Sequence, residues 1–431
     1  LELASHLSKS KIAKNIQKTD SIQRLIQRHE SYKKKQFPQL ELLSNFQFSV
    51  ENLQNKLSDK DLILKYILLE DEIAIYQITK KSFNVDVIPW REKEKKELNN
   101  LIQKTQNREY NQELASKFGQ LLLPNINNNL THIIINPDGI LFKLPFEILQ
   151  VKEKFATEVF DISYTSNLGF ISYKPNKNLA SENIHIYAPL YASSINKSNV
   201  RNKPSFLKGA NNEAKTISKL FPSRLYNDGS LTKSEFIKTA EKGKILHLAM
   251  HAEVNKDYPE LSRLLFSNNL DNEDEHLYLE ELYGLSLQAD LAILSACNTG
   301  VGLEKNGSLE SFQRAFTFAG VPATVVSLWQ VPDSSTEQIM ILFYKNLKAG
   351  QTKSEALKNA KLTFRNNNID NKLSAPYFWA GFVVYGSDSP IAASSSYLLF
   401  YIIAAGIVII GLWFFRRKVF FDLDGWPVKS D

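Results

Sequence analysis

The sequence predicts an α/β fold built on a mostly parallel β-sheet with helices on both faces. From about Thr131 onward, short and nearly continuous apolar runs alternate with amphipathic segments. Such alternation is typical of parallel sheets, because the helices that connect the strands cover both faces of the sheet. The chain of 431 residues is 43% hydrophobic and 23% charged. This is the composition of an ordinary globular protein, and it excludes collagen-like and low-complexity classes.

Upstream of this alternation the pattern is first helical and then strand-like. Residues 1–36 carry apolar side chains at near-helical spacing, and Ser49 is a candidate N-cap for a further helix. The next segments predict a β-hairpin followed by two amphipathic helices. The predicted strands are Leu62–Tyr66, Glu72–Ile78 and Phe83–Ile88, and the predicted helices are Glu92–Thr105 and Tyr110–Leu123.

The alternating region contains apolar runs that we interpret as buried strands, with helices between and after them. The runs lie at 132–136, 183–190, 244–251, 290–297 and 323–331, and the helices at 213–220, 233–240, 308–319 and 335–348. In open α/β sheets the chemistry gathers at the carboxyl ends of the strands. His251 and Cys297 each end such a run, so the sequence predicts a site that contains both.

A cysteine and a histidine at one sheet edge are suited to nucleophilic catalysis. The thiol has an ordinary pKa of about 8.5, and a neighbouring imidazole favours the reactive thiolate. The same imidazole can then protonate the departing amine. Cys297 is the only cysteine, so no intrachain disulfide is possible. From the residues alone, a buried cysteine and a structural histidine remain the alternative, and His247 is interpreted as a buried, hydrogen-bonded histidine.

Other classes of site have little support in the sequence. His247 and His251 lie four residues apart without the glutamate of HExxH, which argues against zinc, and no phosphate-binding glycine motif occurs. The acidic run 271–275 is interpreted as a solvated loop. Residues 1–60 hold 11 Lys/Arg and 6 Asp/Glu. We interpret this basic arm as a solvated helical surface, and we expect no nucleic-acid partner.

The C-terminal part predicts a membrane anchor. Residues 397–415 contain no charge and no proline, and the cations 416–418 follow at once. A helix needs about 20 such residues to span a bilayer. Lys and Arg concentrate on the cytoplasmic side. We therefore expect a single-pass protein whose catalytic region is extracytoplasmic. Since the sequence starts at Leu1 rather than Met, we expect an export signal upstream of it.

Several separated blocks resemble the CHAT domain family, which is related to caspases, separases and gingipains. They include HLAMHAE and LYLEELYGLSLQADLAILSACNTG, and they occur in the order typical of the family. The blocks lie at 131–149, 160–167, 247–253, 277–300, 325–333 and 376–386. Since such domains often follow tetratricopeptide repeats, we interpret the N-terminal helices as the end of such an array. The expected division is a helical segment at 1–48, a hairpin and helices at 49–120, the CHAT domain at 121–388, a transmembrane helix at 397–415 and a basic tail at 416–431.

The resemblance implies a caspase-like α/β fold and cysteine endopeptidase activity without a cofactor or metal. Position by position, His251 corresponds to the family histidine and Cys297 to the nucleophile. The backbone amides of Cys297 and Ala252 correspond to the oxyanion hole, although the group commonly has glycine where this chain has Ala252. Asp333 is a candidate substrate-pocket residue, and a helix cap is the alternative for it.

Two other functions stay open at this point. The substitution at Ala252 favours an inactive CHAT domain that acts as a membrane-tethered scaffold, with the N-terminal helices recruiting a protein partner. A thiol-dependent acyl or thioester hydrolase would use the same two residues. The retention of both His251 and Cys297 favours an endopeptidase with a protein or peptide substrate.

Overall fold

The computed structural model describes a large part of the chain, with gaps. The described residues are 49–123, 126–127, 129–172, 184–191, 207–228, 231–255, 257–266, 275–295, 303–305, 308–391, 406 and 408–410. The predicted N-terminal helices, the acidic run and Cys297 lie outside these residues.

Within these ranges the chain forms 18 β-strands and 11 α-helices. The strands are β1 (Asp61–Leu68), β2 (Glu72–Thr79), β3 (Phe83–Pro89), β4 (His132–Asn136), β5 (Gln150–Val151), β6 (Lys154–Phe155), β7 (Asp161–Tyr164), β8 (Ile184–Tyr187), β9 (Ser223–Tyr226), β10 (Ile245–Leu248), β11 (His251–Glu253), β12 (Arg263–Leu265), β13 (His276–Tyr278), β14 (Leu291–Leu294), β15 (Leu303–Lys305), β16 (Ser308–Glu310), β17 (Ala323–Ser327) and β18 (Phe382–Gly386). The helices are α1 (Val50–Gln54), α2 (Glu92–Gln106), α3 (Gln112–Leu122), α4 (Ala156–Val159), α5 (Lys208–Leu220), α6 (Lys233–Ala240), α7 (Leu279–Tyr283), α8 (Phe312–Phe318), α9 (Asp333–Lys348), α10 (Lys353–Asn366) and α11 (Pro376–Trp379).

An eleven-stranded sheet runs through the molecule in the order β3-β2-β1-β4-β7-β18-β17-β14-β10-β8-β9. Neighbours are parallel from β1 through β4 to β7, and from β17 through β14, β10 and β8 to β9. The strand β2 is antiparallel to β1 and β3, and β18 is antiparallel to β17. The mostly parallel α/β sheet that the sequence predicts is therefore confirmed. The predicted hairpin is also present, and it extends this same sheet through β1.

Both faces of the sheet are covered, which explains why its central strands are buried throughout. All residues of β8, β10, β14 and β17 are buried. On one face, His247 of β10 contacts Tyr344 of α9, with ring centroids 5.4 Å apart. On the other face, Tyr187 of β8 contacts Phe236 of α6, with ring centroids 4.9 Å apart. Because neighbouring residues of a strand point to opposite faces, strands covered in this way have no polar side to present to water.

The strands of the central sheet end at two opposite edges, and different residues lie at each of them. The strands β8, β10, β14 and β17 end at one edge, which we call the carboxyl edge. Because β18 is antiparallel to β17, β18 ends at the opposite edge, which we call the amino edge. Asp388, which follows β18, lies there with its Oδ2 3.6 Å from Nε2 of His132, the first residue of β4.

Several predicted segments end earlier or begin later than the sequence pattern suggests. The run 244–251 is divided, because β10 ends at Leu248 and His251 opens β11 of a separate three-stranded sheet, β11-β12-β13. The strand β14 ends at Leu294 rather than three residues later. The helix predicted to start at Ser308 begins at Phe312, where the Ser311 side chain caps it by accepting a hydrogen bond from the Arg314 N–H.

The prediction of a membrane anchor is wrong. A membrane-spanning helix needs about 20 consecutive apolar residues. Among the residues that the structure describes, none of the helices has the length and apolar character for this. Of the predicted span 397–415, only 406 and 408–410 are described, and they are helical. This finding corrects the expected single-pass topology and the extracytoplasmic placement that depended on it.

Candidate active site

Two neighbouring parallel strands lead to the two residues that the sequence predicts as a catalytic pair. Leu248 and Leu294, the last residues of β10 and β14, lie opposite each other in the sheet. His251 follows the first of them by three residues, and Cys297 follows the second by three residues. Adjacent strands are about 4.8 Å apart, so both segments leave the carboxyl edge side by side. Cys297 itself lies outside the described residues.

His251 is partly buried and is held by a neighbouring tyrosine. Its backbone N–H donates to Tyr191 Oη at 2.9 Å, and the two rings meet edge to face with centroids 4.7 Å apart. The Tyr191 hydroxyl donates in turn to the Leu265 carbonyl at 2.7 Å. This histidine is therefore fixed both through its backbone and through its ring.

Ala252 follows His251 within β11 and pairs with Leu264 of β12. The next residue, Glu253, accepts a hydrogen bond from the Arg263 guanidinium at 2.9 Å. A short strand with these partners holds the backbone next to His251 in one place. The structure thus positions the predicted oxyanion amide of Ala252 directly after the candidate histidine.

A buried polar cluster lies directly behind the carboxyl edge. Oε1 of Glu213, on α5, is 2.8 Å from Nε2 of His247, and both side chains are fully buried. Ser295, the residue after β14, donates from Oγ to Oε2 of Glu213 at 3.1 Å. Burial raises the pKa of Glu213, and this effect outweighs the opposing effect of His247. His247 is buried as predicted, but among the described residues neither of its ring nitrogens has a hydrogen-bond partner of good geometry.

The fourth predicted site residue, Asp333, binds the N-terminus of a neighbouring helix. Its two carboxylate oxygens accept hydrogen bonds from the N–H groups of Gly209 and Ala210 at 2.6 and 3.1 Å. A Cβ atom at Gly209 would lie 2.6 Å from the Asp333 carboxyl carbon, so glycine permits this approach. A carboxylate at a helix N-terminus is stabilised by free N–H groups and by the helix dipole. A substrate contact by Asp333 stays a prediction.

Sequence reasoning missed three residues that support this site, namely Tyr191, Glu213 and Ser295. Glu213 could have been found from the sequence, because it is a carboxylate on the buried face of an amphipathic helix. A charged residue is rare in such a position unless it is paired. Ser295 stands in the run before Cys297, where it reads as one more strand residue. Tyr191 directly follows the apolar run 183–190, and its role depends on contacts with residues 60 or more positions away.

A second histidine cluster lies at the amino edge. His132 Nδ1 is 2.9 Å from Asp61 Oδ1, and Nε2 is 2.9 Å from Ser163 Oγ. This order of groups resembles a Ser-His-Asp triad, but Ser163 is only 1% exposed. A nucleophile must reach its substrate, so we interpret this cluster as structural. Among the described residues, no group of three or more His, Cys, Asp or Glu side chains is arranged to hold a metal ion.

Fold and site together define an α/β protein whose candidate chemistry lies where two adjacent parallel strands end. The chain belongs to the CHAT domain family, whose model matches residues 108–387. This confirms the family that the sequence motifs indicate.

Two curated relatives carry the name tetratricopeptide repeat protein 28. The mouse protein is 31% identical over 116 residues, and the human protein is 28% identical over 148 residues. These matches cover 27% and 34% of this chain and 5% of each relative. The chain thus matches a small part of much longer proteins.

The solved structures to which this chain is similar include a cysteine proteinase and a separase–securin complex. The Arg-specific cysteine proteinase gingipain R is 12% identical with a TM-score of 0.43, and the match covers 70% of this chain and 76% of that chain. The Saccharomyces cerevisiae separase–securin complex is 10% identical with a TM-score of 0.48, covering 78% and 31% respectively.

Proposed function

We propose that this chain is a cysteine endopeptidase that hydrolyses peptide bonds through a Cys297–His251 dyad. One observation carries the proposal: in a member of the CHAT family, the chain leaves two adjacent parallel strands at the same edge and reaches His251 and Cys297 after three residues each. The family resemblance assigns the roles of histidine and nucleophile to the same two positions.

The proposed reaction has two stages. Cys297 Sγ attacks the scissile carbonyl, and its proton passes to His251. The C–N bond then breaks as His251 gives that proton to the departing amine. A water molecule attacks the thioester that remains, with His251 as the base, and the free thiol is restored. The backbone amides of Cys297 and Ala252 donate to the oxyanion in both stages.

A non-enzymatic scaffold is the second candidate, and Ala252 favours it. Alanine retains the amide but does not adopt every backbone conformation that glycine allows. In this function the chain binds a protein partner, and the helices predicted within residues 1–48 supply the surface. The name shared by the two curated relatives agrees with repeat helices beside a domain of this kind.

Covalent labelling of the full chain distinguishes these functions. The protein is treated with peptidyl acyloxymethyl ketones that carry different P1 residues, and mass spectrometry locates the adduct. We expect labelling at Cys297 and a loss of about 100-fold or more in its rate for His251→Ala, since general acid–base groups contribute about 10²–10⁴-fold.

The matched control is His132→Ala, which removes a histidine that binds two partners at the other edge. We expect this variant to be labelled at the wild-type rate. Folded wild-type protein that resists every probe, or is labelled equally well without His251, would rule out the peptidase and leave the scaffold. A parallel set of ester and thioester substrates separates a peptidase from an acyl hydrolase.

A further inference from the structure

Tyr191 makes three contacts around the candidate histidine, and it is only 2% exposed. Its hydroxyl accepts from the His251 N–H and donates to the Leu265 carbonyl, and its ring meets the imidazole edge to face at 4.7 Å. His251 and Leu265 are also the paired residues at one end of the β11–β12 ladder. One side chain therefore connects both strands and the imidazole ring.

The Tyr191 hydroxyl is suited to a lasting structural hydrogen bond. Burial raises the pKa of Tyr191 well above its usual range, so the hydroxyl stays protonated and continues to donate to Leu265. Hydrogen bonds in a buried site are electrostatically stronger than those in water. The strand β11 is only three residues long, so its own ladder offers few bonds to hold the residue with which it begins.

The ring contact acts on the imidazole itself. A histidine side chain rotates about two bonds, and only a small part of that range directs a ring nitrogen toward any one reacting group. An aromatic ring packed edge to face against the imidazole removes part of this freedom and stabilises one orientation of the ring. A displacement of about 1 Å in a reacting group can lower a rate about 100-fold.

We propose that Tyr191 is a positioning residue that sets the orientation of His251 toward Cys297, through its hydroxyl on the backbone and its ring on the imidazole. The proposal rests on the dyad described above. The two contacts are separable, because Tyr191→Phe removes only the hydroxyl and Tyr191→Leu removes the aromatic ring as well.

The experiment measures the rate of Cys297 alkylation by iodoacetamide as a function of pH. In the wild-type chain, the thiolate–imidazolium pair keeps the thiol reactive well below the ordinary cysteine pKa of about 8.5. We expect Tyr191→Phe to slow alkylation at neutral pH about 10-fold and Tyr191→Leu about 100-fold. In both variants the midpoint of the pH profile moves toward that of a free thiol.

Tyr187→Phe is the matched control. Tyr187 is another buried tyrosine that ends a nearby strand, and its hydroxyl lies 3.0 Å from Thr239 Oγ1. This variant loses a buried hydroxyl without touching His251. We expect thermal stability to fall as for Tyr191→Phe and the pH profile to stay unchanged. Equal pH profiles for the two variants would overturn the positioning role.

A second measurement holds even if Cys297 proves unreactive. Histidine ring protons are followed by NMR in the full chain, and the His251 signal is assigned by its loss in His251→Ala. We expect Tyr191→Leu to shift this signal, because the aromatic ring current is removed. An unmoved His251 signal and titration midpoint would refute the contact. Absence of His251-dependent labelling alongside a shifted signal would instead refute the dyad and retain Tyr191 as an orienting residue.

Discussion

The two edges of the central sheet carry similar residue types and present them differently. At the amino edge, Asp61, His132 and Ser163 all belong to strands, and the imidazole binds a partner through each nitrogen. At the carboxyl edge, His251 lies three residues beyond the end of β10, in β11 of a separate sheet. His132 therefore belongs to the central sheet, whereas His251 lies outside it.

The comparison shows that the same residue types can be buried or accessible. Which of the two holds depends on whether they lie within a strand or beyond its end. The groups at the amino edge are arranged as in a catalytic triad, yet Ser163 is covered on all sides. The last residues of β10 and β14 are buried too, but His251, three residues beyond β10, is partly exposed. Placing functional residues after buried strands keeps the core intact while it exposes the reacting groups.

The largest effect is expected from a change in the buried cluster behind the carboxyl edge, which consists of Glu213, His247 and Ser295. Glu213→Ala removes the side chain that contacts His247 and accepts a hydrogen bond from Ser295. The lost polar contacts and the cavity left by a fully buried side chain together cost about 3–5 kcal/mol. We therefore expect the free energy of unfolding, measured by urea titration, to fall by that amount.

Glu213→Gln is the control for volume, since it keeps an acceptor for Ser295. We expect a smaller loss of about 1–3 kcal/mol, as for a weakened buried hydrogen bond. A loss below about 1 kcal/mol in the alanine variant would contradict a supporting role of this cluster.

The next prediction concerns the stability that His132 contributes at the amino edge, and this contribution depends on pH. Burial lowers the pKa of His132, but the hydrogen bond to Asp61 and the charges of Asp388, Asp61 and Asp161 outweigh burial and raise it above its usual value of 6.5. A raised histidine pKa gives stability that is complete below the unfolded-state pKa and is lost as pH rises through the folded-state pKa. We expect His132→Gln to lose about 2 kcal/mol near pH 6 and progressively less at higher pH.

The pKa of Asp61 is lowered, since the hydrogen bonds from His132 and Ser58 outweigh burial. Its contribution is present above its unfolded-state value of 3.8 and is lost as pH falls through the lowered value. The measurement is a set of urea titrations of both proteins from acidic to alkaline pH. A stability difference that does not change with pH would show that His132 contributes through packing alone.

The smallest effect concerns Asp333. Asp333→Asn keeps one acceptor oxygen but removes the charge at the N-terminus of α5, and we expect a loss of about 1 kcal/mol. If Asp333 acts only as a cap, the P1 preference in the ketone labelling experiment stays as in the wild type. A changed P1 preference would instead assign it to the substrate pocket.

Much of the fold could be predicted because its signals are local. The helix Lys233–Ala240 has the predicted bounds, and the five runs read as strands all contain strands of the central sheet. Strand ends were less accurate, because apolar residues continue past the last ladder pair. Met250 is fully buried although β10 ends at Leu248, so burial in the sequence pattern does not mark where pairing stops.

The candidate site was predictable only in part. His251 could be identified because a reactive residue type stood at the end of an apolar run within a family motif. The partners of His251 could not, because Tyr191 and Leu265 approach it only when the chain folds. The membrane prediction failed because an apolar composition reports a preference for leaving water and does not by itself specify a membrane-spanning helix.

The position of β18 has a consequence for biosynthesis. Among the described strands, β18 lies between β7 and β17, near the end of the family-matched region, and joins the two halves of the central sheet. Until residues 382–386 have been synthesised, the half that ends at β7 and the half that begins at β17 lack the strand that joins them. Each half meanwhile exposes an unpaired strand edge, which is the kind of surface that chaperones protect from aggregation.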